Sequence, residues 1–206
     1  MKVLLINGSP NSDGCTFTAL KEIADTLETE GIGSEIFHIG TEPVSGCTAC
    51  GMCRETGQCV FDDLVNVCIQ KAQKCDALIV GSPVYYASAN GALTAFLDRL
   101  FFSGARHFYL KPAAAIASAR RAGTTATLDQ LNKYFMISQM PVISSQYWNM
   151  VHGSTPEDVR QDREGMQIMR TLARNMAWFL KCKEAGTRSG VPLPVREDVV
   201  RTNFIR

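Results

Sequence analysis

Four cysteines fall within thirteen residues: Cys47, Cys50, Cys53 and Cys59, spaced C-x2-C-x2-C-x5-C in the stretch GCTACGMCRETGQC. Thiolates are soft ligands, and four of them on one short loop suit an Fe–S cluster or zinc. Three cysteines at successive two-residue gaps follow a ferredoxin-type run more closely than the paired hooks of a zinc site. The spacing therefore points first to a [4Fe–4S] cluster, with zinc, disulfides and unligated thiols as the alternatives. Gly46, Gly51 and Gly57 give the loop the backbone freedom that wrapping a metal demands. Half of the chain's 8 cysteines sit in this loop, a density that scattered core residues would not produce. Of the rest, Cys68, Cys75 and Cys182 read as packing residues, and Cys15 belongs to a polar loop described next.

Three further segments have the composition of binding loops. The first, GSPNSDGCT (8–16), joins an apolar run to a helical one and carries Ser9, Asn11, Gly14, Cys15 and Thr16. Hydroxyls and free N–H groups at a helix N-terminus bind phosphate well. The loop lacks the lysine of a P-loop and does not fit G-x-G-x-x-G, which excludes a nucleoside triphosphate or a Rossmann dinucleotide as its expected ligand. The plain alternative is a strand-to-helix turn with a capping residue. The second, GSPVYYASANG (81–91), offers Pro83, Val84, Tyr85 and Tyr86 as apolar and aromatic edges for a flat heteroaromatic ring, unless the tyrosines are ordinary rim residues. The third, SARRAG (118–123), with Ser118, Arg120 and Gly123, is placed to close that ring pocket.

The elements that must position these loops follow from periodicity. Continuous apolar runs at 3–8, 77–83, 113–118 and 141–145, with a weaker one at 34–38, read as strands buried on both faces. Helical spacing is expected over 16–30, 62–74 and 89–102, around Leu128, Leu131 and Phe135, and from Pro156 to Lys183. Five β-α repeats in one pass imply a parallel sheet with helices on both faces, an α/β three-layer sandwich. Ligands bind such sheets beyond the carboxyl ends of the strands, where strand order reverses, which is where the loops after strands one and three lie. Residues 1–185 are expected to form one domain with the cysteine-rich insert at 46–60, and 186–206 an extended C-terminal tail.

The 206 residues are 46% hydrophobic, with a formal net charge of +1. A near-neutral chain has no general attraction for nucleic acid. No apolar stretch approaches the roughly 18 residues needed to span a bilayer, and VLLIN is too short for a signal segment. A cytoplasmic protein is expected, and a reducing compartment favours metal over disulfides at the cysteine loop.

GSPNSDGCT, GSPVYY and the cysteine insert together resemble the iron–sulfur flavoproteins, within the flavodoxin-like NAD(P)H-dependent FMN reductases, over about residues 1–185. The resemblance implies strand order 2-1-3-4-5 and an FMN whose phosphate is held by the loop of Ser9, Asn11, Cys15 and Thr16. Its ring would lie against residues 83–86 and 118–123. It also implies a homodimer or homotetramer in which cluster and flavin approach each other, with NAD(P)H as electron donor and a quinone-like compound or ferredoxin as acceptor. Asn11 stands where relatives often carry Arg, and Cys15 where they often carry Asn, so backbone amides must supply more of the phosphate binding. Flavin performs the redox chemistry itself, so no side chain is assigned as catalytic acid or base. A cluster-free NAD(P)H-dependent FMN or quinone reductase and a non-enzymatic flavodoxin-type carrier are the alternatives, and the near-neutral charge speaks against the carrier. Arg99, Arg120 and Arg121 could meet nicotinamide phosphates, with solvation on a helix face as the alternative role for Arg99. His38, His107 and His152 fall outside these loops; His38 reads as structural, His152 borders the expected site edge, Trp148 could wall the substrate pocket, and Trp178 reads as core or interface.

Overall fold

The computed structural model describes residues 1–204. Among the described residues six strands and seven α-helices follow one another: β1 (Lys2–Asn7), α1 (Cys15–Thr29), β2 (Gly33–His38), α2 (Cys53–Thr56), α3 (Leu64–Gln73), β3 (Ala77–Tyr85), β4 (Ser88–Ala89), α4 (Gly91–Gly104), β5 (Ala113–Ala119), α5 (Thr124–Ile137), β6 (Met150–His152), α6 (Pro156–Gln161) and α7 (Arg163–Arg188). Five of the strands pair in parallel in the order β2-β1-β3-β5-β6, with β4 folded back antiparallel onto β3. Counting parallel strands alone, this is the expected 2-1-3-4-5 order of a flavodoxin-like sandwich, so the switch point falls between β1 and β3.

Alternate residues of the strands feed two separate cores, because successive side chains of a strand point to opposite faces. Leu4, Ile6, Leu78 and Val80 pack beneath α3, α4 and α5 together with Phe96, Leu100 and Phe135. Val3, Leu5, Ile79 and Ile116 pack beneath α1 and α7 with Leu20, Ile23, Leu172 and Met176. Strands covered on both faces explain the unbroken apolar runs in β1 and β5.

Several expectations need correction. The run at 141–145 is not a strand: it touches the sheet through a single bridge between Val142 and Ala113, and the strand proper is Met150–His152, opposite Ala117–Ala119. Between them Ser145 Oγ donates to the Tyr147 carbonyl at 2.7 Å, and Asn149 Nδ2 donates to the Ala115 carbonyl at 3.1 Å, so side chains stand in for ladder bonds. The long final helix breaks at Asp162, whose ψ of 79° leaves the helical region. Its carboxylate accepts the N–H groups of Gly165 and His152 and so caps the second segment. That segment runs through Arg188, past the expected helix end at Lys183, and Trp178 on it is 68% exposed rather than core. Cys182 is likewise exposed, whereas Cys68 and Cys75 are buried.

Beyond α7 the described residues up to 204 have no regular structure, and Arg196 among them stacks over the Tyr109 ring at 4.3 Å; the last two residues of the expected tail lie outside the described residues. Among the described residues no helix is long and apolar enough to cross a membrane.

At the opposite edge of the sheet from the loops, Glu35 receives Lys2 Nζ at 2.6 Å and Lys71 Nζ at 2.5 Å. Hydrogen bonds from Lys2 and then Lys71 hold its carboxyl below the usual carboxylate range. A lowered folded-state pKa contributes stability that is present above the unfolded value and is lost as pH falls through the folded value. Glu35→Gln is therefore expected to cost about 0.5–1 kcal/mol at neutral pH, discounted for its partial exposure. In urea denaturation the gap to the native chain should close as the pH is taken below the range in which Glu35 ionises.

Candidate functional site

Loop 8–14 leaves β1 and enters α1 through a network that fixes its shape. Asn7 Oδ1 accepts the Ser9 N–H at 3.1 Å, Ser9 Oγ accepts the Asn11 N–H at 3.1 Å, and His38 Nε2 donates to the Ser9 carbonyl at 2.8 Å. Ser9 is buried, so its hydroxyl shapes the loop, while Asn11 and Ser12 project into solvent. Gly14 occupies the N-cap of α1, with no side chain capping the helix and no acidic residue in its first turn. The first N–H groups of α1 are thus left for an anion, which the helix dipole favours. Cys15 directs its thiol away from this opening, donating to the Gly153 carbonyl at 3.7 Å, and burial pushes that thiol's pKa up.

The other two loops join the first at the same sheet edge. Gly8 sits so close to β3 that a Cβ there would come within 2.8 Å of the Gly81 carbonyl. Asn90 Nδ2 donates to the Gly8 carbonyl at 2.9 Å while its Oδ1 accepts the Ala92 N–H, so one side chain caps α4 and ties the first loop to the second. Thr16 and Ser118 share a buried 2.8 Å hydrogen bond that ties the first loop to the end of β5. Losing both functions in Asn90→Ala is expected to cost about 1–3 kcal/mol in urea denaturation.

The second segment is not the open loop the sequence suggests. Strand β3 continues through Pro83 and Val84 to Tyr85, and the chain reverses at Tyr86 and Ala87, with φ of 52° and 58°, into β4. Two successive left-handed residues make the tight hairpin turn that glycine and asparagine usually supply. Tyr86 is fully exposed on its tip. Gly123, at φ +91°, brings the third loop against this hairpin: a Cβ on it would lie 2.7 Å from Ala87 Cα. Arg120 and Arg121 are exposed beside it, and His152 ends β6 opposite Ala119.

The four loop cysteines line one small pocket, shared with Val60, Phe61, Phe102 and Arg99. Cys47 and Cys50 are exposed, and Cys53 and Cys59 half-buried. Among the described residues no three Cys, His, Asp or Glu side chains stand close enough to hold a metal ion as they lie. The donor set suits a cluster by ligand type, and all four thiols line one pocket. Cys53 opens the single-turn α2, which Gly57 ends in the left-handed region at φ +72°. Buried Asn66 holds the far end: its Oδ1 accepts the Cys59 N–H at 2.8 Å and its Nδ2 donates to the Cys59 carbonyl at 2.9 Å.

Arg99 overturns its expected role. Its side chain is 1% exposed, the largest fully buried one among the described residues, and it faces the cysteine loop rather than solvent or a nucleotide. Asn66, Asn90 and His38 were likewise not among the expected site residues. Trp148 is exposed and forms an edge-on pair with Tyr147 at 4.4 Å.

A family model of NADPH-dependent FMN reductases matches residues 1–155. An iron–sulfur flavoprotein of Methanocaldococcus jannaschii is 29% identical over 189 residues, covering 88% of this chain and 98% of its own. Another, from Methanosarcina thermophila, is 27% identical over 185 residues, covering 88% and 96%. Among solved structures, RosB with a bound 8-demethyl-8-formylriboflavin-5'-phosphate superposes with a TM-score of 0.69 at 14% identity, over 100% of this chain and 92% of its own, a likeness of fold. With that match over three quarters of its length, the chain belongs to the NADPH-dependent FMN reductase family.

Proposed function

We propose that this flavin-dependent oxidoreductase takes hydride from NAD(P)H on FMN and passes electrons singly through a [4Fe–4S] cluster held by Cys47, Cys50, Cys53 and Cys59. When bound, FMN would supply two-electron acceptance with one-electron release, and a cluster held by the four cysteines would supply one-electron transfer. The observation that carries the reading is that all four cysteines of a ferredoxin-like run line the same pocket. The uncapped start of α1 supports phosphate binding by backbone amides from Gly14 to Phe17 with exposed Asn11 beside them. Ser9, Thr16 and Ser118 then keep the loops in register for it. Pro83, Val84, Tyr85 and Tyr86 on one side, and Arg120 and Gly123 on the other, wall the ring, hold it flat and shield one of its faces from water.

The two sites lie at different levels of the molecule. Helix α4 starts at the loop edge with Asn90 as its cap and meets the cysteine pocket at Arg99 and Phe102. At 1.5 Å per residue that places the pocket about 14–18 Å down the helix. The reading includes an assembly, a homodimer or homotetramer, in which the cysteine pocket of one copy faces the ring of another. The acceptor is then a one-electron partner of ferredoxin type, or a quinone-like compound stacked on the open face of the ring.

A second reading, a cluster-free FMN or quinone reductase, is favoured by the open spacing of the cysteine side chains. Stopped-flow mixing of the anaerobically purified protein with NADPH distinguishes the readings. The proposal expects the flavin band to bleach and electrons to reach a one-electron acceptor, with Cys50→Ser losing the second step and keeping the first. Transfer at the native rate in Cys50→Ser would favour the cluster-free reading. A flavin that NADPH never reduces would favour a carrier.

A further inference from the structure

The cysteine loop is folded around one guanidinium. All five N–H groups of Arg99 are engaged: Nε with Cys59 Sγ at 3.1 Å, Nη1 with the Ser45 carbonyl at 3.3 Å and Asp63 Oδ2 at 2.7 Å, and Nη2 with the Phe61 carbonyl at 3.4 Å and Asp63 Oδ1 at 2.9 Å. These partners span the loop from just before its first cysteine to just after its last. The guanidinium also lies 4.8 Å from the centre of the Phe61 ring. Asp63 is the only carboxylate bonded to it among the described residues, and its Oδ1 also caps α3 by accepting the Val65 N–H at 3.0 Å.

Five satisfied donors on one planar fork are a structural fit that lysine could not reproduce. The contact to sulfur has a further consequence. An N–H directed at a ligand sulfur, and a buried positive charge beside it, both stabilise the more negative state of an Fe–S cluster. We propose that Arg99 is the positioning residue of the cluster, fixing the Cys59 sulfur and setting the reduction potential through its charge balance with Asp63. The proposal rests on the cluster reading above and adds a sign to it. Removing the arginine lowers the potential. Removing the aspartate charge leaves the guanidinium uncompensated and raises it.

The test uses the full chain purified without oxygen, with iron counted and the cluster titrated by EPR-monitored potentiometry. Arg99→Met should release iron to a chelator about 10- to 100-fold more readily, the usual loss on removing a partner of a metal ligand. The cluster that remains should titrate at a lower potential. Arg99→Lys keeps the charge without the fork, so its potential should lie closer to the native value while its iron stays labile. Asp63→Asn keeps the cap acceptor of α3 and should titrate above the native protein; should Arg99→Met fail to fold, this variant and Arg99→Lys carry the test. A native protein with cluster whose Asp63→Asn and Arg99 variants titrate at the native potential overturns the inference and leaves the cluster reading standing. A native protein without iron overturns both.

Discussion

Gly123→Ala is expected to loosen FMN binding by about 10- to 100-fold without unfolding the protein. Gly123 is the N-cap of α5 and holds φ at +91°, a region that costs a residue with a Cβ on the order of 1–3 kcal/mol. The added methyl would also meet Ala87 Cα at 2.7 Å and Val84 Cγ1 at 2.8 Å. One of these neighbours is backbone, at a hairpin turn already strained by two left-handed residues, so the hairpin must move. That motion displaces the proposed wall of the flavin ring, and about 1.4–2.8 kcal/mol of lost binding is 10- to 100-fold in affinity. The core beneath is untouched, because the site lies at the sheet edge. Equilibrium titration of apoprotein with FMN measures the effect, and native affinity in the variant would show that the hairpin and third loop do not hold the ring.

Cys59→Ser should remove essentially all iron and leave FMN binding intact. Serine offers a hard oxygen in place of a soft sulfur, at the one cysteine of the loop that Asn66 and Arg99 both fix in place. The loops assigned to FMN make no use of residues 47–59, so the yellow colour should remain while the broad cluster absorption disappears. Cys182→Ser, an exposed cysteine on α7, is the control that should keep its iron. Equal iron in Cys59→Ser and Cys182→Ser would strike Cys59 from the ligand set.

Most of the fold was legible because β1, β3 and β5 are buried on both faces and read as unbroken apolar runs between helical periods. The failures have local causes. The hairpin at Tyr86 and Ala87 carries none of the glycine or asparagine that marks such turns, so β3 seemed to end at Pro83. PVISS is apolar enough to look like a strand, yet only Ile143 of it is buried, and polar side chains carry the chain past it to Met150. Asp162 breaks the last helix by capping its second part, a signal that a continuous helical period hides.

The three polar and aromatic loops are legible in composition, and the structure brings them to one edge of the sheet. What composition could not show is the division of labour within them. Ser9, Thr16 and Ser118 are buried and bonded inside the scaffold, while Asn11 and Tyr86 are exposed. Arg99 was misread because its charge suggested solvent. Its position three residues after Phe96, on the buried stripe of α4 with Leu100 and Ser103, was the available sign that it points inward. Asn66 on α3 sits among Val65, Cys68 and Ile69 in the same way. Polar residues on an apolar stripe were the signal that pointed to the frame of the cysteine loop.

The central claim is that one chain holds both a flavin and iron. Iron, acid-labile sulfide and FMN should be counted in protein prepared without oxygen, together with its EPR spectrum after reduction. About four iron and four sulfide for each FMN, with the signal of a reduced [4Fe–4S] cluster, is the expected result. Stoichiometric FMN with no iron, or with zinc in its place, would contradict it.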